Sequence, residues 1–189
     1  NKNSLDADKF RIIYTGTLAL KHNPQIIVNI AKNNENIDVL VIGTGSGFQQ
    51  LKNMYNLPSN IKMLPLQPFK LMNEILNSAD VLLGILSEDA SKFSVPSKIL
   101  NYLCAGKPII LSAPQDNLSA TIIKDSNSGK VFDPHDLKGI NNFLKTLVKD
   151  NTIKIKYSLN ARDYANKNFK IKNISMKFEN LINNLNKIK

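Results

Sequence analysis

Cysteine, tryptophan and histidine are nearly absent: the 189 residues include one Cys, no Trp and two His. A single thiol, Cys104, excludes an internal disulfide framework, and one Cys with two His cannot supply the ligand clusters of a structural zinc site. Arginine occurs only at positions 11 and 162, although Lys and Arg together number 25 against 15 acidic residues. The resulting net charge of +10 invites a nucleic-acid partner. Against it, no basic run is interleaved with stacking aromatics and no reader motif occurs, so nucleic acid is not expected. No apolar run approaches the ~20 residues of a membrane span and no leader pattern opens the chain, so a cytoplasmic setting is expected. The Walker A pattern is missing, and GTGSG at 43–47 lacks the spacing of the dinucleotide fingerprint, with Phe48 where a packing glycine belongs.

What is present is 42% hydrophobic residue content, enough for one sizeable core. The apolar runs at 10–15 (FRIIYT), 37–42 (IDVLVI), 61–64, 80–86 (DVLLGIL), 109–111 and 129–132 read as strands, continuous enough to be buried on both faces. Between them lie helical patterns. One opens at Pro24 and buries Ile27, Val28, Ile30 and Ala31. Another runs from Phe48 to Asn56 with Leu51, Met54 and Tyr55 inward. A third, 69–78, uses Leu71, Met72, Ile75 and Leu76. Residues 118–124 form a short helix, and 137–148 is amphipathic through Ile140, Phe143, Leu144, Leu147 and Val148. The chain stays helical after Asp150 and ends on a stripe of Ile174, Phe178, Leu181, Ile182 and Leu185. Strands alternating with helices predict an α/β, doubly wound, Rossmann-like parallel sheet with helices on both faces. A ligand would then lie at the carboxyl ends of the strands, where the loops are 16–23, 43–47, 65–68 and 87–97.

The stretch SVPSKILNYLCAGKPII (94–110) organises the rest. Pro96 suits the first turn of a helix, the Ser94 hydroxyl is the better candidate cap, and Gly106 ends the helix. Ile99, Leu100, Leu103 and Cys104 share its apolar face, so Cys104 is expected as a buried core thiol. A helix N-terminus carrying Ser97 and Lys98 in its first turn is an anion site. Lys21, ahead of the first helix, could meet the same anion as a point charge. His22 and His135 read as surface residues, and Glu88–Asp89 as solvated loop charges.

Five blocks carry a family resemblance: FRIIYTGTLALKHNP, VLVIGTGSGFQQLK, NIKMLPLQPFKLMNEILNSADVLLG, SVPSKILNYLCAGKPII and NSGKVFDPHD. In this order and spacing they resemble the C-terminal, donor-binding domain of the family 4 (group 1) glycosyltransferases, which have the two-domain GT-B architecture. The resemblance implies residues 1–9 as linker and 10–189 as a nucleotide-sugar donor-binding domain, with the N-terminal acceptor domain absent. It implies a retaining transferase acting on a polysaccharide or glycolipid acceptor, needing no cofactor or metal, with the fragment inactive alone. Gly16 and Lys21 would lie beside the donor phosphates, with Ser94, Ser97 and Lys98 at the helix start that receives them. Gly43, Gly45 and the Leu66–Pro68 segment would border the nucleoside, and Asn101 the ribose. In the family two Glu residues stand where this chain has Phe93 and Asn101, and an arginine where it has Thr17. The alternatives are a GT-B-like nucleotide-sugar 2-epimerase and a non-catalytic α/β interaction module. Residues 151–189 carry nine basic and two acidic residues, which suggests an anionic membrane surface as a further partner at the inner face of the cell membrane.

Overall fold

The computed structural model describes residues 9–89 and 92–186, so the expected linker at 1–9 lies outside it except for Lys9. Strands are β1 (Phe10–Thr17), β2 (Ile37–Thr44), β3 (Ile61–Leu64), β4 (Val81–Ile85), β5 (Ile109–Ser112) and β6 (Gly129–Phe132). Helices are α1 (Gln25–Asn33), α2 (Ser46–Lys52), α3 (Met72–Asn77), α4 (Ser97–Ala105), α5 (Leu118–Ser126), α6 (Leu137–Lys149), α7 (Asn151–Asn168) and α8 (Ile171–Asn186). The strands form one parallel sheet in the order β3-β2-β1-β4-β5-β6. Because successive strand residues face opposite sides, the sheet divides the interior into two cores. Ile12, Tyr14, Val39 and Val41 face one side with Ile26, Ile30, Ile140 and Leu144. Ile13, Leu40, Ile42 and Leu82 face the other with Ile99, Tyr102, Leu103 and Ala161.

Four sequence expectations change. Cys104 is exposed, because Tyr102 takes a core seat and Ile99, Tyr102 and Leu103 form the inward stripe, turning the next residue to solvent. Helix α2 stops at Lys52, so Tyr55 lies beyond it and is 99% exposed instead of buried. Val148 is exposed on α6, one position past the inward-facing Leu147. Ser94 is not the N-cap of α4: that position belongs to Pro96, in extended conformation, whose own side chain makes no capping bond. Ser94 instead joins the start of α5, its hydroxyl accepting from Asn117 Nδ2 (3.3 Å) and its carbonyl from Ser119 Oγ (3.2 Å).

Gly106 ends α4 with φ +65°, a left-handed conformation that glycine adopts without strain, as the sequence suggests. The long α7 buries Ala161 and Ala165 against α4, and Lys154 ties its first turns to Asp80 at 2.7 Å below β4. The stripe on α8 is outward: Phe178, Leu181, Ile182 and Leu185 are all more than half exposed.

Candidate functional site

The sheet opens where its strand order reverses. β1 stays in register with β2 through Thr17↔Thr44, but pairs with β4 only at Ile12↔Val81 and Ile13↔Leu82. Past Ile13 the hydroxyl of Tyr102, from α4, occupies the gap. It accepts the Thr15 N–H at 3.0 Å, lies 3.1 Å from Thr15 Oγ1 and donates to the Leu83 carbonyl at 3.3 Å. Burial pushes the Tyr102 phenol up to about 12, so it keeps its proton. Above this wedge the diverging strands leave a cleft of about 440 Å³, at the switch point where open α/β sheets hold ligands.

Gly16 and Thr17 of β1, His22, Leu66, Met72 and the first turns of α4 (Ser97, Lys98, Asn101) line this cleft. Lys98 supplies its charge. The Nζ donates to Tyr14 Oη at 2.8 Å, and that hydroxyl donates to the Thr17 carbonyl at 2.6 Å. Burial lowers the Lys98 ammonium to about 8, and among the described residues no carboxylate pairs with it. The N-terminus of α4 adds the partial positive charge of its unbonded N–H groups. Lysine and helix end therefore present uncompensated positive charge to one wall, an arrangement that an anion completes.

Of the residues expected from sequence, Gly16, Leu66, Ser97, Lys98 and Asn101 meet in this cleft. Gly16 has φ +102°, and a side chain there would lie 3.5 Å from Lys98 Nζ, so its bareness keeps the ammonium accessible. Gly43 and Leu66 line an adjoining hollow of about 420 Å³ with Phe48, Gln49, Lys52 and Met63, and Leu66 stands between the two. Gly45 (φ +111°) shapes the turn into α2, where a Cβ would come within 2.6 Å of the Leu18 carbonyl. Lys21 is exposed beside the cleft; its charge adds to burial and Lys98 in lowering the His22 pKa, and to the Ser87 hydrogen bond in lowering that of Asp89. Pro68 is exposed at the start of a 3₁₀ turn, Phe69–Leu71, and Ser94 is engaged at α5; neither lines the cleft.

Sequence reasoning missed three residues. His22, read there as a surface residue, lines the cleft: its Nδ1 accepts the Ala19 N–H at 3.2 Å, placing the neutral ring's proton on Nε2. Burial first, then Lys98 and Lys21, hold its pKa below the ordinary value, while Asp89 and the Thr17 carbonyl pull weakly the other way. Tyr14 and Tyr102 are fully buried phenols whose hydroxyls fix the cleft walls. The signal for both was a tyrosine inside an apolar run, since a buried hydroxyl needs partners. His135, read as a surface residue, is exposed and pairs with the exposed Glu88 at 2.6 Å.

The family model described as "Glycosyl transferases group 1" matches residues 1–168. No curated protein sequence matches the chain. Solved structures do. The C-terminal domain of a glycosyl transferase group 1 family protein (LpcC) from Francisella tularensis matches at 18% identity and a TM-score of 0.67, over 86% of this chain and 87% of that one. Sucrose-phosphate synthase from Thermosynechococcus elongatus is 16% identical with a TM-score of 0.77, over 98% of this chain and 47% of that one. Anabaena Alr3699/HepE, solved in complex with UDP-glucose, is 15% identical with a TM-score of 0.73, over 94% of this chain and 49% of that one. The chain thus spans about half the length of the latter two proteins. The six-stranded parallel sheet, expected from the apolar runs, is the fold these structures share. With the family model extending over most of its length, the chain belongs to the group 1 glycosyl transferases.

Proposed function

We propose that the chain is the donor-binding half of a retaining glycosyltransferase that moves a sugar from a nucleoside-diphosphate sugar to a polysaccharide or glycolipid acceptor. The observation that carries this reading is Lys98: a mostly buried ammonium at a helix N-terminus, with no carboxylate partner among the described residues, facing a cleft at the carboxyl ends of the strands. Diphosphate oxygens would take the remaining Lys98 side-chain N–H bonds and the backbone N–H groups of Ser97 and Lys98, that of Ile99 being bonded to the Pro96 carbonyl, with Lys21 closing over them from the rim. His22 adds a neutral donor on the same side. Glycosyl transfer builds negative charge on the leaving diphosphate, and fixed donors aimed there lower the barrier. These lysines do so without a metal ion. The adjoining hollow beside Gly43 and Leu66 has the size and neighbourhood to receive the nucleoside, with Asn101 at the ribose. The UDP-glucose bound by HepE, a structural neighbour, supports this class of donor.

Retention, the acceptor class and the two-domain architecture rest on the family resemblance. The half-length match to sucrose-phosphate synthase and HepE supports an acceptor-binding half outside this sequence. That half would cover the cleft and the outward stripe of α8, so the fragment binds donor without turning it over. The whole enzyme would work in the cytoplasm, at the inner face of the membrane. Thermal melting with UDP and GDP tests the reading. At least one nucleotide should raise the melting temperature in a concentration-dependent way, as any ligand of the folded state does. No shift with either nucleotide refutes donor binding and leaves the interaction module.

A further inference from the structure

We infer that Tyr14 is a positioning residue for this cleft: its buried hydroxyl anchors Lys98 Nζ beside Gly16 and Thr17, in place to receive an anion. The inference rests on the reading of the cleft as a diphosphate site. Packing alone does not ask for a hydroxyl here. The Tyr14 ring lies in the apolar core with Ile12, Leu18 and Ile85 and its face meets the Lys98 ammonium 4.1 Å from the ring centre; phenylalanine would keep both contacts and lack only the oxygen. A buried hydroxyl is tolerated because both of its hydrogen-bonding capacities are used. The direction of these bonds is fixed. The single proton goes to the Thr17 carbonyl at 2.6 Å, so only lone pairs face Lys98, and the lysine must donate at 2.8 Å.

Two consequences follow from that polarity. First, an acceptor held against the ammonium offsets part of the burial that lowers its pKa, and so favours its charged form. The phenol does not compete for the proton, since burial and the nearby Tyr102 raise it far above neutrality. Second, one of three N–H bonds is spent on Tyr14 and two remain for the cleft. A lysine left to itself would sample many rotamers. Held at the end of β1, next to a glycine whose missing side chain leaves the ammonium open, it is already ordered when a ligand arrives. Among the described residues, Tyr14 and His22 are the titratable groups that meet Lys98 from the β1 strand and the following turn. Tyr102 lies one turn further along α4.

The test is Tyr14→Phe in the 189-residue chain, which removes the oxygen and keeps the ring. Titration of Lys98 followed by side-chain NMR needs no ligand. Lys98 should lose its proton near pH 8 in the wild type and about one pH unit lower in the variant, the scale of one lost hydrogen bond to a charged group. Calorimetry with UDP and GDP at pH 6.5 and 8.5 adds the functional readout. The variant should bind several-fold more weakly, and the deficit should be larger at pH 8.5, where its lysine is more often neutral. A melting curve establishes that the variant is folded. Identical Lys98 titrations overturn the anchor, and so does a binding deficit that is equal at both pH values. If the wild type binds neither nucleotide, the diphosphate reading and the anion-receiving role fail together, and the titration alone decides the anchor.

Discussion

Lys98 keeps its charge in a place that resists it, and this makes the site sensitive to pH in two separable ways. Its pKa is held at about 8, below the ordinary 10.5, by burial. Between these values the unfolded chain binds a proton that the folded chain does not, so stability should rise as pH increases from about 8 to 10.5. Below pH 8 both states are protonated and the full burial cost is present. Lys98→Met should be more stable than the wild type at pH 7 and should lose this rise, as chemical denaturation at a series of pH values would show. Ligand binding runs the other way. A diphosphate stabilises the ammonium, so affinity should fall as pH passes above about 8. Lys98→Ala should weaken UDP or GDP binding by about 1–2 kcal/mol at pH 7, the scale of a charge-assisted contact.

At the level of strands and helices, the cleft depends on backbones that approach closely. Gly43 at the end of β2 faces the carbonyl of Gly16 at the end of β1, and a Cβ added there collides with that oxygen. Backbone cannot swing aside as a side-chain tip can. Gly43→Ala should therefore cost more than Gly106→Ala, whose φ of +65° carries a penalty of about 1 kcal/mol. Denaturant midpoints of the two variants would rank them, and the reverse order would show that the strand ends are pliable. These elements were legible in the sequence to unequal degrees. The strand runs and the helix-ending Gly106 were readable because local pattern and local φ decide them. The capping of α4 was not, since Ser94 is claimed by Asn117 and Ser119, more than twenty positions away. Nor was the seat of Cys104, which lost the inward face to a tyrosine whose hydroxyl bonds to β1. The site was read in part. The α4 start declares itself as an anion site, but the Tyr14–Lys98 bond spans 84 positions and leaves no local trace.

Across the whole molecule, charge and apolar surface gather at the C-terminal end. Ion pairs use some of the lysines: Lys154 binds Asp80 and Lys167 binds Asp163. Lys156 on α7, Lys170 just before α8, and Lys172 and Lys177 on α8 are exposed. If this end meets an anionic leaflet, as proposed, the chain should sediment with phosphatidylglycerol vesicles at low salt and not with phosphatidylcholine vesicles. High salt should release it, because such attraction fades within a Debye length. Equal recovery in the supernatant with both lipids would leave these lysines a solubilising role. At the other end of the sheet, Tyr102 has a consequence for time rather than for binding. The Thr15 amide belongs to β1, yet its hydrogen bond is to a helix residue 87 positions away. Deuterium exchange at that amide requires the bond to the Tyr102 hydroxyl to open, so it follows the seating of Tyr102 against the sheet and not the β1–β2 pairing. Thr15 exchange is thus a gauge of how much of the time one helix residue is unseated, readable in the intact protein at a single backbone position.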